Sequence, residues 1–189
     1  MPRPPVLPAL DWKEIFASGR DYAGWLDAAE SPEQRDRIEA NRLALGLDPQ
    51  VQAFLADLPR PVHVVAIAED WCGDVVRHVP ALQRMAESAR QLRVRYISRQ
   101  QWPDVFARFL TNGGEAIPKF IFLNEAMVEC GNWGPMPDAC RELIARGKAC
   151  GDVPSARRKV GARYQADPEL RTVVAELVHL VSIAACLEP

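Results

Sequence analysis

The chain has 189 residues, enough for one domain with additions and a sizeable core, and 48% hydrophobic with 25% charged residues is ordinary globular composition. Lys plus Arg number 23 against 25 for Asp plus Glu. A net charge of −2 gives no electrostatic reason to expect nucleic acid or an anionic membrane as partner.

The start, 1-MPRPPVLPAL-10, carries four prolines and no apolar signal-like run, and reads as a poorly ordered arm. The longest nearly apolar run, 177-LVHLVSIAACL-187, is too short to cross a bilayer, so a cytoplasmic address is expected. Five cysteines, Cys72, Cys130, Cys140, Cys150 and Cys186, form an odd set without a signal, which points to free thiols and away from a disulfide framework.

Helices are expected through about residue 59. Asp11 to Ala28 reads as helical. Ser31 caps a helix with Pro32 at its first position and Gln34 completing a capping box, and Gly46 stops it. Asp48-Pro49 restarts a helix with Val51, Phe54, Leu55 and Leu58 on one face, until Pro59.

From Pro61 the pattern changes. The run 62-VHVVAIA-68 reads as a buried strand, followed by a helix from about Gly73 to Arg90 with Val75, Val76, Val79, Leu82 and Met85 on its apolar face. Leu92, Val94 and Tyr96 alternate with Arg93 and Arg95 as a second strand, and a short helix around Val105 to Leu110 ends at 112-NGG-114. The stretches 118-PKFIFL-123 and 127-MVEC-130 flank a turn at about 124–126 and predict an antiparallel hairpin; Asp138 to Arg146 adds a helix. In the tail, 157-RRKVGAR-163 reads as a solvated helical face. Asp167-Pro168 then opens a helix whose stripe of Leu170, Val173, Val174, Leu177, Val178 and Val181 is packing surface. The order β-α-β-α-β-β-α predicts an α/β fold with a mixed sheet and helices on both faces.

The chemistry concentrates in 69-EDWCGDVVRHVP-80, where Cys72 sits at the seam of strand and helix. A helix N-terminus favours thiolate, whereas Glu69, Asp70 and Asp74 oppose it, so the sign of the net shift stays open. His78 lies roughly 240° around the helix and about 9 Å along it, too far to pair with Cys72. With a turn near Glu125, Asn132 falls opposite Pro118 and brings Trp133 back beside it. The groove built this way contains Trp71, Cys72, Ile117, Pro118 and Trp133.

Element order, W-C-G after the first strand, Pro80 eight residues beyond Cys72, Ile117-Pro118 opening the hairpin and Gly134 closing it together resemble the thioredoxin family over roughly residues 60–147. More narrowly, W-C-G-D followed by Trp133-Gly134-Pro135 looks like a bacterial thioredoxin-like group of unassigned role. The resemblance implies a thioredoxin-like fold at 60–149, with helical extensions at 1–59 and 150–189 in a single domain. It also implies a cis peptide before Pro118, Cys72 as catalytic thiol, and a substrate groove of Trp71, Gly73, Asp74, Ile117, Pro118, Trp133 and Gly134. Two departures matter. Val75 replaces the resolving cysteine and Ala66 the buried acid that serves it, so two-cysteine chemistry within the motif is excluded.

Monothiol chemistry remains: Cys72 attacks a protein or glutathionyl disulfide, and an external thiol such as glutathione releases it. The alternatives are a redox-inert binding module on the same fold and, third, a thiol peroxidase or sensor passing through a sulfenic acid. Asp74 reads first as a first-turn residue favoured by the helix dipole and second as an acid or base. No cofactor and no metal are expected, since Cys130, Cys140 and Cys150 lack zinc spacing; Cys130 is the nearest candidate for a second thiol, and the reading goes against it because it lies several residues before its strand reaches Pro118. His63 and His179 read as packed or hydrogen-bonded histidines. The basic run lacks the interleaved aromatics of nucleic-acid readers.

Overall fold

The computed structural model describes residues 9–187, so most of the proline-rich start lies outside the described residues. Four helices come first: α1 (Trp12–Ser18), α2 (Tyr22–Asp27), α3 (Pro32–Ala44) and α4 (Pro49–Ala56). The expected helix over 11–28 is thus two. It breaks at Gly19-Arg20 because Arg20 exchanges backbone hydrogen bonds of 2.9 and 2.8 Å with Tyr96, joining the chain to the edge of the sheet. Ser31 does cap α3, accepting from the Gln34 backbone N–H at 3.3 Å. The box is only half made: the Ser31 N–H goes to the Asp70 carboxylate at 3.0 Å, not to Gln34.

The remainder runs β1 (Val62–Ile67), α5 (Gly73–Glu87), β2 (Leu92–Ile97), α6 (Pro103–Arg108), β3 (Lys119–Leu123), β4 (Glu129–Trp133), α7 (Asp138–Cys150), α8 (Val153–Ala166) and α9 (Arg171–Ala184). The strands form a mixed sheet in the order β2-β1-β3-β4, with β1 parallel to β2 and antiparallel to β3. Every residue of β1 is buried, as its unbroken apolar run requires when both faces are covered. Ala66, Phe120 and Trp133 lie in register across one face, where α5 and α9 pack. The other face meets α1, through the edge-on contact of Phe16 with His63 at 4.9 Å.

The hairpin departs from expectation in register. Phe120 pairs with Trp133 and Ile121 with Asn132, so Asn132 sits three places from its expected opposition to Pro118. Two local causes account for the slip. The Asn124 side chain accepts from the backbone of Ala126 and Val128, and Met127 takes φ 61°, which lengthens the turn. A shift in register between Phe122 and Leu123 then passes over Cys130 as a bulge.

Pro80 lies within α5 and deprives Val76 of its intrahelical donor. The freed carbonyl accepts instead from the Asn41 side chain of α3 at 3.1 Å, while Ile38 of α3 packs with Val76 and Leu26. In the tail α9 begins at Arg171 and not at Pro168; Asp167 caps it from a distance, accepting from the Arg171 and Thr172 N–H groups at 2.8 and 2.9 Å. Its stripe buries Val173, Leu177 and Val181 to 1% exposure or less, each burial contributing about 1.5–3 kcal/mol. Gly131 admits the helix: a Cβ there would lie 2.8 Å from Leu180. Of the packed or hydrogen-bonded histidine expected at 179, packing is ruled out: His179 faces solvent, off the buried stripe.

Candidate functional site

Cys72 is the N-cap of α5 and its side chain makes no capping bond. The thiol points instead across the mouth of the sheet, donating to the Ile117 carbonyl at 3.4 Å. The Ile117-Pro118 peptide is cis, as the resemblance implied. Trp71 stands 54% exposed beside the half-buried thiol, so an approaching group meets an indole and a sulfur together.

Burial pushes the Cys72 thiol up, and the charges of Asp74 and Glu69 add to the shift. The N–H groups of Val75 and Asp74 pull the other way without prevailing. The sign that the sequence left open thus points, in the folded molecule, toward the protonated thiol. The buried Asp70 carboxylate accepts from the Ser31 N–H.

Sequence proximity missed Arg99. Its guanidinium bonds Glu69 at 3.0 Å and Glu115 at 3.2 Å and lies 5.1 Å from the Trp71 ring centroid. A cation twenty-seven positions from Cys72 thus offsets one of the acids beside it, through a crossover that no local pattern displays. Tyr164 was missed likewise. Its hydroxyl donates to Asp74 at 2.9 Å, and Asp74 is raised by burial, with that bond and Arg77 opposing.

The far wall corrects one expectation. Trp133 does not line the groove: it is 2% exposed, stacks on Phe120 at 5.3 Å and donates its indole N–H to Glu176 at 2.6 Å. The register slip explains this, since it places Trp133 opposite Phe120 on the face covered by α9. Gly134 takes the position near Pro118 instead. At φ 114° a Cβ would fall 2.1 Å from the Pro118 carbonyl oxygen, so both conformation and space require glycine. The Gly134-Pro135 peptide is also cis, and the Gly134 carbonyl accepts from Lys119 at 2.7 Å and Arg141 at 3.2 Å. Burial, then Arg141, lowers the Lys119 ammonium to about 8.

The structure therefore gathers Trp71, Cys72, Gly73 and Asp74 at the start of α5 against Ile117, Pro118 and Gly134, and leaves Trp133 in the core. Cys72, Cys130, Cys140 and Cys150 are free thiols. Val75 and Ala66, at the positions of the missing second thiol and its acid, are fully buried. Cys130 donates to Val128 in the hairpin bulge. Among the described residues no group of three or more His, Cys, Asp or Glu side chains could hold a metal ion, and no helix is long and apolar enough to cross a membrane.

The fold is shared with solved structures. A protein of unknown function from Pseudomonas aeruginosa is 19% identical, with 92% of this chain and 98% of that one covered and a TM-score of 0.72. An HIV epitope-scaffold is 17% identical at the same coverages, with a TM-score of 0.68. At these identities the likeness shows the fold alone. No curated protein matches the chain. A family model described as thioredoxin matches residues 24–152, more than half the chain and inclusive of the whole sheet and the Cys72 and Pro118 segments. The chain belongs to the thioredoxin family.

Proposed function

We propose that the protein is a monothiol thioredoxin-like oxidoreductase acting through Cys72 on a protein or glutathionyl disulfide, within the subgroup marked by W-C-G-D and a later W-G-P. The observation that carries this reading is the half-buried Cys72 thiol, 3.4 Å from the Ile117 carbonyl at a cis proline, with exposed Trp71 beside it. The peptide before such a proline is where an extended substrate would bond, a form of strand addition. Gly73 leaves open space at the start of α5 beside the thiol.

The chemistry balances with one protein sulfur. The Cys72 thiolate attacks a disulfide, forming a mixed disulfide with one half and expelling the other as thiolate. An external thiol, glutathione by class, then attacks the mixed disulfide, regenerates Cys72 and carries the released half away as a new disulfide. Val75 cannot perform that second attack from within. A reducing cytoplasm, which keeps Cys72 a thiol and supplies glutathione, is the compartment this reading requires.

The test is turnover of a glutathionylated peptide with glutathione. The wild type should accumulate a Cys72 glutathionyl adduct and release free peptide; Cys72→Ser should do neither, and insulin reduction should be slow in both. A wild type that never forms the adduct would sink the proposal. A second reading, a redox-inert binding module, is favoured by the upward shift of the thiol. It predicts unreactive Cys72 together with intact peptide binding at the groove. Sulfenic acid formation on peroxide treatment would instead assign the thiol to peroxide chemistry.

A further inference from the structure

On the monothiol reading, Cys72 sheds a proton as it attacks, and the sulfur expelled from the substrate gains one. Some group has to hold that proton in between. The strand leading to the thiol offers none, because beyond His63 every residue of β1 is apolar. Three carboxyls lie within three residues of Cys72: Glu69, Asp70 and Asp74.

Two of them are committed. Glu69 accepts from the backbone and the guanidinium of Arg99 at 3.1 and 3.0 Å, and Asp70, 7% exposed, accepts from the Ser31 N–H. Asp74 differs. Its side chain is 28% exposed, so solvent reaches it as it reaches the half-buried thiol, and its backbone N–H in the first turn of α5 faces the sulfur. The Tyr164 hydroxyl donates to its Oδ1 at 2.9 Å, and the Nε2 of fully buried His78 lies 3.2 Å behind that hydroxyl. With the hydroxyl proton given to Asp74, the imidazole supplies Nε2–H to the phenolic oxygen. One carboxyl oxygen is thereby fixed, and Oδ2 is left to take a proton.

Burial makes Asp74 a stronger base than an exposed carboxylate, with the Tyr164 bond and Arg77 opposing. Transfer to it also removes a conflict. An ionised Asp74 repels charge on Cys72, yet an Asp74 that has taken the thiol proton is neutral while the thiolate exists, so the pair carries one negative charge throughout. The other titratable groups facing it are Arg77 and His78 from α5, Tyr164 from α8 and Cys140 from α7. His78, lowered to about 3 by burial, stays uncharged at neutral pH, as do Tyr164 and Cys140, which burial raises.

We infer that Asp74 is the proton holder for exchange at Cys72, with Tyr164 and His78 as its positioning residues, an assignment that rests on the monothiol reading. In the first step the Cys72 proton passes to Oδ2 through one water, the sulfur joins one half of the substrate disulfide, and the expelled thiolate takes the proton from Asp74. In the second, the external thiol gives its proton to Asp74 and attacks the mixed disulfide. The departing Cys72 sulfur then recovers it.

The test follows, in the full chain and across pH, the rate at which Cys72 forms its adduct with a glutathionylated peptide. Beside it runs the thiolate fraction, read from ultraviolet absorbance as the difference from Cys72→Ser. The wild-type rate should stay nearly level below the thiol midpoint. In Asp74→Asn the thiolate fraction at neutral pH should rise, yet the adduct should form about a hundredfold more slowly, with a rate climbing about tenfold per pH unit. Asp74→Glu restores a carboxyl and should recover most of the loss. Charge repulsion alone predicts the reverse, a faster Asp74→Asn. An Asp74→Asn as fast as the wild type or faster would overturn the assignment, and so would a wild-type rate that merely tracks the thiolate fraction, a result that needs no variant. A wild type that forms no adduct at any pH would overturn the monothiol reading and this assignment together, so the two failures are told apart.

Discussion

The two sides of the first turns of α5 are built on opposite principles. Toward the cis proline, Cys72 makes one long hydrogen bond, carries no cap and stands next to an exposed indole. Toward the tail, Asp74, Arg77 and His78 are held by a single residue of α8: Tyr164 bonds the first and third through its hydroxyl and lies under the second at 4.5 Å from its guanidinium. On the proposed monothiol reading, a thiol that meets a substrate cannot itself be tied down. The helix that carries it is fixed from behind, so its position is set while its sulfur stays accessible.

The largest break in this contrast should come from Tyr164→Ala, which removes the ring and both hydroxyl bonds together and leaves a hole against α5. Loss of about 3–5 kcal/mol in a denaturant titration is expected. A change below about 1 kcal/mol would mean that α8 does not support the helix.

Acid should come next. Burial, with Arg77 adding, lowers His78 to about 3, so the folded state excludes a proton that the unfolded chain binds below its ordinary value of about 6.5. The stabilisation is present above about 6.5 and is lost as pH falls toward about 3, on the order of a few kcal/mol. Denaturation midpoints across that window should fall steeply in the wild type and less in His78→Leu, which still faces Asp74, Arg77, Tyr164 and Asp167 but has no proton to bind. Equal slopes would place the acid sensitivity elsewhere.

The smallest effect sharpens the comparison most. Asp74 belongs to both sides, bonded to Tyr164 behind and repelling charge on Cys72 in front. Asp74→Asn should change stability little while moving the pH midpoint of Cys72 alkylation downward from its raised position. An unchanged midpoint would show that burial alone sets the thiol.

Local signals read well where chemistry and neighbour lie close in the chain. The apolar run of β1, the seam at Cys72 and the Ile117-Pro118 pair were all legible, because burial on both faces, a strand-to-helix junction and a proline each leave a mark within a few residues. Trp133 was misplaced because a turn conformation at Met127 and a bulge at Cys130 decide its register, and neither has a compulsory residue type. Arg99 and Tyr164 could not be seen at all. They reach the site through sheet order and through the packing of α8, which depend on contacts between distant segments. Gly134 was found through family spacing, although its physical reason, an approach to Pro118 with no room for a side chain, belongs to the folded molecule.

Pro80 leaves in α5 an orphaned oxygen, that of Val76, which is stitched by Asn41, a side chain thirty-five positions upstream of it. The proline-bearing turn and its splint are therefore one transferable part. A shortened variant that keeps only the sheet and α5 would present the Val76 carbonyl to whatever replaces α3, and a designer trimming this scaffold must either carry α3 along or restore the intrahelical donor by removing the proline.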